Sequence, residues 1–89
     1  MEVFRLHLTQ DAEDDLANLD QTIASRIADK LQWFISQENP LYFSRRLSGF
    51  LGKYRFRVGD YRIIFKVDYR GTITILVILR IRHRREVYD

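Results

Sequence analysis

The stretch that most limits how this chain can fold runs from residue 53 to 66, KYRFRVGDYRIIFK. Two runs rich in aromatic and β-branched residues flank Gly59-Asp60, a two-residue turn with glycine at its first central position, and this reads as a β-hairpin. Such a turn fixes the register, pairing Val58 with Tyr61, Arg57 with Arg62, Phe56 with Ile63 and Arg55 with Ile64. Alternation then sorts the side chains. Tyr54, Phe56, Val58, Tyr61, Ile63, Phe65 and Val67 share one face; Arg55, Arg57 and Arg62 share the other. Like charges placed directly opposite, as Arg57 and Arg62 are, cost stability. A face that gathers three arginines suits an anion, and phosphate fits the guanidinium fork. The plainer alternative is a solvated face.

The rest of the chain supplies the partners for that hairpin. Residues 2–8 alternate, with Phe4, Leu6 and Leu8 on the core side, and predict a first strand. Thr9 is placed to cap a helix whose first turn carries Asp11 and Glu13, with Ala12, Leu16 and Leu19 at helical spacing. Asp20 is placed to cap a second helix with the stripe Ile23, Ile27, Leu31, Phe34 and Ile35, which Asn39-Pro40 ends. Residues 41–52 read as a loop pinned by Leu47 and by Phe50 or Leu51. Residues 68–72 read as a second turn of three loop residues, with Gly71 left-handed and Asp68 paired with Thr72. That pairing puts Arg80 and Arg82 on the side of Arg62, and Ile73, Ile75, Val77, Leu79 and Ile81 on the helix side. Phe4, Trp33, Phe34, Phe56 and Phe65 are expected in the core. The order β-α-α-β-β-β predicts a single α+β domain over residues 1–89. It consists of an N-terminal strand, a helical hairpin and a three-stranded antiparallel meander, with the helices on one sheet face.

Charge is unevenly spread. Residues 1–38 hold eight acids and three bases, and residues 39–89 hold four acids and twelve bases, which together give the net +3. A molecule with one basic side is built to meet a polyanion. Cysteine is absent, which excludes disulfides, thiol nucleophiles and thiolate metal sites. No histidine cluster, paired-carboxylate site or phosphate-cradling glycine loop is visible, so no metal or cofactor is expected. The N-terminus has no signal-peptide pattern, and the apolar run of residues 73–79 is far too short to span a bilayer. A cytoplasmic protein with no membrane partner is the expectation.

The segments LSG at 47–49, YRFRVGDYRIIF at 54–65 and RHRREVY at 82–88 resemble the RelE/ParE superfamily, toxins of type II toxin–antitoxin systems. The resemblance covers nearly the whole chain. It implies the RelE-like fold, a cognate antitoxin partner in a hetero-oligomer, and one of two activities. RelE-type toxins are ribonucleases that cut messenger RNA in the ribosome; ParE-type toxins act on DNA gyrase and cut nothing. An inactive antitoxin-binding relative is the third reading. The RelE branch is favoured by the joint presence of Arg62, Arg82 and Tyr88, which match family catalytic positions. Arg55 and Arg57 match positions that are commonly lysine in that branch. Arginine does not give up its proton, so a base role does not transfer, although phosphate binding does.

Metal-independent ribonuclease chemistry uses the 2′-hydroxyl as nucleophile on the adjacent phosphate. Arg62 and Arg82 are the candidates for stabilising the charge that grows on the phosphorane oxygens. Tyr88 is the candidate base if neighbouring arginines favour its phenolate, or else a stacking platform, or simply the chain's end. His83 is the alternative acid or base, ranked lower because spacing points it away from Arg82. Arg55, Arg57, Arg80, His83, Arg84, Arg85, Arg45 and Arg46 are the candidates for binding RNA phosphates.

Overall fold

The computed structural model describes residues 2–47, 49 and 52–86. Strand β1 (Val3–Leu8) alternates between exposed and partly buried residues along its length. Thr9 ends it and starts α1 (Gln10–Ala17): its hydroxyl accepts the Ala12 N–H at 3.2 Å, filling one of the donors a helix start leaves open. Asp20 does the same for α2 (Gln21–Ile35), accepting the Thr22 N–H at 3.3 Å. After α2, Asn39 caps a short 3-10 turn (Pro40–Phe43), accepting from the Leu41 N–H at 3.1 Å. The remaining strands are β2 (Arg45–Arg46), β3 (Lys53–Val58), β4 (Tyr61–Arg70) and β5 (Ile73–His83), with a closing 3-10 turn at Arg84–Glu86.

These strands form one five-stranded sheet in the order β1-β5-β4-β3-β2. The meander β3-β4-β5 is antiparallel as its turns require, and β1 lies parallel to β5. Parallel neighbours need a long crossover, and α1 and α2 begin it. Both helices cover one sheet face. Ala12, Ile27, Leu31 and Phe34 meet Phe56, Ile63, Phe65, Leu76, Ile78 and Ile81 in one buried cluster. Its middle is a column of rings: Phe34 stacks on Phe56 at 4.1 Å and Phe56 on Phe65 at 4.4 Å between centroids. The one buried polar side chain among these strands, Thr74, donates to Glu2 Oε2 at 2.8 Å. Leu47 is buried as expected; Phe50 and Leu51 lie outside the described residues. Among the described residues no helix is long and apolar enough to cross a membrane.

The first hairpin has the register its turn dictates, Val58 with Tyr61 through Arg55 with Ile64. Gly59 has φ +58° while Asp60 keeps negative φ, the glycine-first turn that follows strand twist. The second hairpin differs from expectation. Its loop has two residues, Gly71-Thr72, so Arg70 pairs with Ile73, and Tyr69 and Asp68 extend β4 instead of forming a turn. Gly71 is left-handed as predicted, at φ +63°. The shorter loop shifts parity: Thr74, Leu76 and Ile78 face the helices, while Ile73, Ile75 and Val77 face the other way. One extra residue on β5, Leu79, then stands between the pairs Phe65–Ile78 and Ile64–Arg80. This β-bulge flips the parity again, so Ile81 turns into the core and Arg82 joins the side of Arg62. The sequence reading therefore placed Ile81 and Arg82 correctly through a wrong register. Trp33 also departs from expectation. It is 42% exposed, with the Lys30 ammonium 4.2 Å from its ring centroid.

Candidate nucleic-acid interface

The face of the sheet away from the helices carries the arginines in rows. Register puts Arg57, Arg62 and Arg82 side by side across β3, β4 and β5. The next row begins on β2: Arg45 opposite Arg55, then Ile64, then Arg80. Cross-strand neighbours stand about 5 Å apart. Like charges placed directly opposite one another cost stability unless an opposite charge lies beside them. Such a row suits an anion laid along it, because the guanidinium fork matches phosphate oxygens. Arg57 and Arg45 are exposed; Arg55, Arg62 and Arg82 are half-buried, and the Nε atom of Arg62 is shielded from solvent. All five side chains stem from strand positions, not from loops.

Arg80 is placed differently from its row-mates. It forms a two-pronged pair with Asp15 of α1, Nε to Oδ2 at 2.8 Å and Nη2 to Oδ1 at 2.9 Å. Asp15 Oδ2 also accepts the Ile81 N–H at 2.9 Å. The reason lies in the sheet edge. β1 ends at Leu8, so β5 beyond Ile78 loses its strand partner on that side. Thr9 and Asp15 take over: the Thr9 hydroxyl donates to the carbonyls of Ile78 and Leu79, at 2.9 and 3.1 Å, and Asp15 takes the next free N–H. The hydrogen bond from Arg80 is the main cause holding the Asp15 carboxyl below its ordinary value. The Ile81 N–H and the charges of Arg80 and Arg82 act in the same sense, and partial burial opposes them. Asp15 thereby fixes the bulged segment that carries Arg82 into its row.

The remaining candidates divide between the faces. Arg46 pairs with Tyr54, which points it to the opposite face from Arg45. His83 lies opposite Tyr61, edge-on to its ring at 5.2 Å, on the helix side and away from Arg82 as spacing predicted. Its Nδ1 accepts the Arg85 N–H at 3.2 Å. Arg84 turns the chain back over the first hairpin: its N–H donates to the Asp60 carbonyl at 2.7 Å and its Nε lies 3.7 Å from Asp60 Oδ1. Arg84 and Arg85 are exposed beside the Arg57–Arg62–Arg82 end of the sheet. Tyr88 lies outside the described residues.

Sequence reasoning missed two features. Asp15 was one acid among several in an acidic helix, with no local signal marking its partner 65 residues away. The aromatic pair Tyr42-Phe43 falls in a stretch, residues 41–52, that reads as a loop in the sequence. Its Phe43 borders the arginines: Phe43, Arg45, Arg55 and Arg57 line a hollow of about 320 Å³.

Comparison with known proteins agrees with this architecture. A family model described as "ParE toxin of type II toxin-antitoxin system, parDE" matches residues 6–88. The toxin–antitoxin complex RelBE2 from Mycobacterium tuberculosis contains a chain 26% identical, matched over 94% of both chains with a TM-score of 0.72. The RelB–RelE antitoxin–toxin complex from Methanococcus jannaschii contains another at 26% identity, matched over 93% of this chain and 95% of that one with a TM-score of 0.65. The chromosomal ParDE system of P. aeruginosa shares the fold at 17% identity, over 91% of this chain and 96% of that one, with a TM-score of 0.68. No match was found among curated protein sequences.

Proposed function

This chain belongs to the RelE/ParE superfamily of type II toxin–antitoxin toxins, and we propose that within it the protein is a metal-independent endoribonuclease that cuts messenger RNA on the ribosome. The observation that carries this reading is the arginine row Arg57–Arg62–Arg82 on the sheet face away from the helices. The 2′-hydroxyl of one nucleotide attacks the adjacent phosphorus. The bond to the 5′-oxygen of the next nucleotide breaks, that oxygen takes up a proton from solvent, and a 2′,3′-cyclic phosphate is left. Negative charge grows on the non-bridging oxygens, and Arg62 and Arg82 meet it with donors already in place. Such a preorganised donor is worth about 10²–10³ in rate. Arg57, Arg55 and Arg45 hold the flanking phosphates, and Arg84 and Arg85 extend the basic track. Arginine cannot take the 2′-hydroxyl proton, and His83 is turned to the other face. Proton transfer is therefore assigned to Tyr88, six residues beyond Arg82, with base stacking as its alternative role. A cognate antitoxin silences the protein by covering the basic face or by displacing its C-terminal tail; relatives are found in toxin–antitoxin complexes.

A second reading has its own support. The family model is named for ParE, and no described side chain in the arginine rows is an effective base. On that reading the same face binds DNA gyrase without cleavage. Two assays run on one preparation separate the readings: cleavage of messenger bound to a programmed ribosome, mapped by toeprinting, and inhibition of gyrase supercoiling. Ribosome-dependent cleavage supports the nuclease; supercoiling inhibition without cleavage replaces it.

A further inference from the structure

At the β2 edge of the arginine face the chemistry changes from charge alone to charge beside aromatic rings. The 3-10 turn Pro40–Phe43 projects two rings next to each other, Tyr42 and Phe43, with centroids 5.4 Å apart and planes at 85°. Tyr42 is 83% exposed and Phe43 41%. Phe43 is not a loose surface ring. It is wedged against Trp33 at 5.1 Å and Phe34 at 5.8 Å, which ties it to the stacked column of the core. The turn itself is fixed at both ends, by Asn39 at its start and by Ser44, whose hydroxyl donates to the Leu41 carbonyl at 2.8 Å. Phe43 lines a hollow with Arg45, Arg55 and Arg57, whose roughly 320 Å³ falls in the size range of small-ligand clefts, and the exposed Tyr42 ring stands next to Phe43.

An exposed aromatic pair, its inner ring anchored in the core, beside three arginines fits one chemical class closely. Every nucleobase has a π-face to lay on a ring, and every nucleotide carries a phosphate for an arginine. Bases inside a duplex are not free to stack on protein, so the occupant is an unpaired one. We propose that Tyr42 and Phe43, with Arg45 and Arg57, form a subsite that holds one splayed base of single-stranded RNA outside the Arg57–Arg62–Arg82 row. This rests on the nuclease reading for its biological substrate, and it adds a base-holding platform, and with it a determinant of RNA registration, to the phosphate-binding row. Arg57 belongs to both places, so a base seated here sets which phosphate comes to lie against Arg62 and Arg82.

The test separates binding from cleavage. A 2′-O-methyl oligoribonucleotide cannot supply the nucleophile, and a single 2-aminopurine in it reports stacking by loss of fluorescence. Titrated with the purified protein at low salt, it is expected to quench on binding. Tyr42→Ala weakens binding and Phe43→Leu, which keeps apolar packing against Trp33 and Phe34 but removes the ring, reduces the quench. Each affinity loss is expected to be about 5- to 150-fold, the range for one stacked base. Tyr42→Phe is expected to bind as wild type. Unchanged affinity and quench in both Tyr42→Ala and Phe43→Leu, with thermal unfolding showing folded protein, overturn the proposal. So does a loss confined to binding of the antitoxin, which identifies the platform as a protein contact. If the subsite quenches as expected but ribosome-bound messenger is not cut, the subsite stands and the nuclease reading falls. If messenger is cut at equal rates and positions by wild type and both variants, and no quench is seen, the reverse holds.

Discussion

Replacing Asp15 tests how the arginine row is held in place. Asp15→Ala removes three hydrogen bonds together, two from Arg80 and one from the Ile81 N–H. Leaving the Ile81 donor unsatisfied beneath α1 costs about 1–3 kcal/mol. The ion pair adds less than a buried one. The Arg80 side chain keeps 37% of its surface in solvent and Asp15 17%, so Arg80 rehydrates when its partner goes. That places its share near the exposed-pair range of about 0.2–1 kcal/mol, well below the 3–5 kcal/mol of a fully buried pair. Together the loss is about 1–4 kcal/mol, or a fall in Tm of about 4–32 °C for a domain of this size. Asp15→Asn keeps one acceptor and loses less. The effect depends on pH with a definite sign. Because the folded carboxyl titrates below its ordinary value of 3.8, its contribution is complete above that value and is lost as pH falls through the folded one. Urea unfolding of wild type and Asp15→Ala at neutral pH and near pH 3 measures both points. The gap is expected to be widest at neutral pH and to narrow on acidification. A difference below about 0.5 kcal/mol at neutral pH, within the scatter of ordinary surface substitutions, refutes the clamp. A gap that widens in acid refutes the stated linkage.

Arg57→Ala is expected to weaken RNA binding and to flatten the slope of log affinity against log salt by about 0.7, the contribution of one phosphate on a single strand; filter binding between low and physiological salt measures it. Arg82→Lys keeps the charge but not the planar fork, and is expected to bind RNA near normally while single-turnover cleavage falls by at least tenfold. Tyr88→Phe and Tyr88→Ala separate the two roles of that ring. Proton transfer predicts that both lose about 10²–10⁴ in rate, and stacking predicts that Phe is near wild type while Ala loses about 1–3 kcal/mol of base binding.

The sequence revealed most where a short-range rule decided the outcome. Gly59-Asp60 permits one tight turn, so the register of β3 and β4, and with it the adjacency of Arg57 and Arg62, could be read directly. Thr9 and Asp20 were legible as caps because capping needs only a side-chain oxygen at the right offset. The second hairpin was not legible. Residues 68–72 fit loops of two or three residues equally well in composition, and each choice sends alternate side chains to opposite faces. The bulge at Leu79 had no local mark; it falls where β1, far away in the chain, stops pairing with β5. Two omissions cancelled, and Arg82 was assigned the right face. Asp15 and the Tyr42-Phe43 platform escaped for the same reason. Each takes its meaning from a partner across the fold, Arg80 in one case and Arg45, Arg55 and Arg57 in the other.

The central claim is that the row Arg57–Arg62–Arg82 stabilises charge in an RNA cleavage transition state. The most direct test is the single-turnover rate of cleavage of messenger in a programmed ribosome, with toxin in excess, for wild type and Arg62→Ala. Circular dichroism and thermal unfolding confirm that both proteins are folded. The account predicts cleavage by wild type and a loss of about 10²–10³ in the variant, the worth of one preorganised donor. Equal rates in the two proteins, or no cleavage by wild type while gyrase supercoiling is blocked, would contradict it.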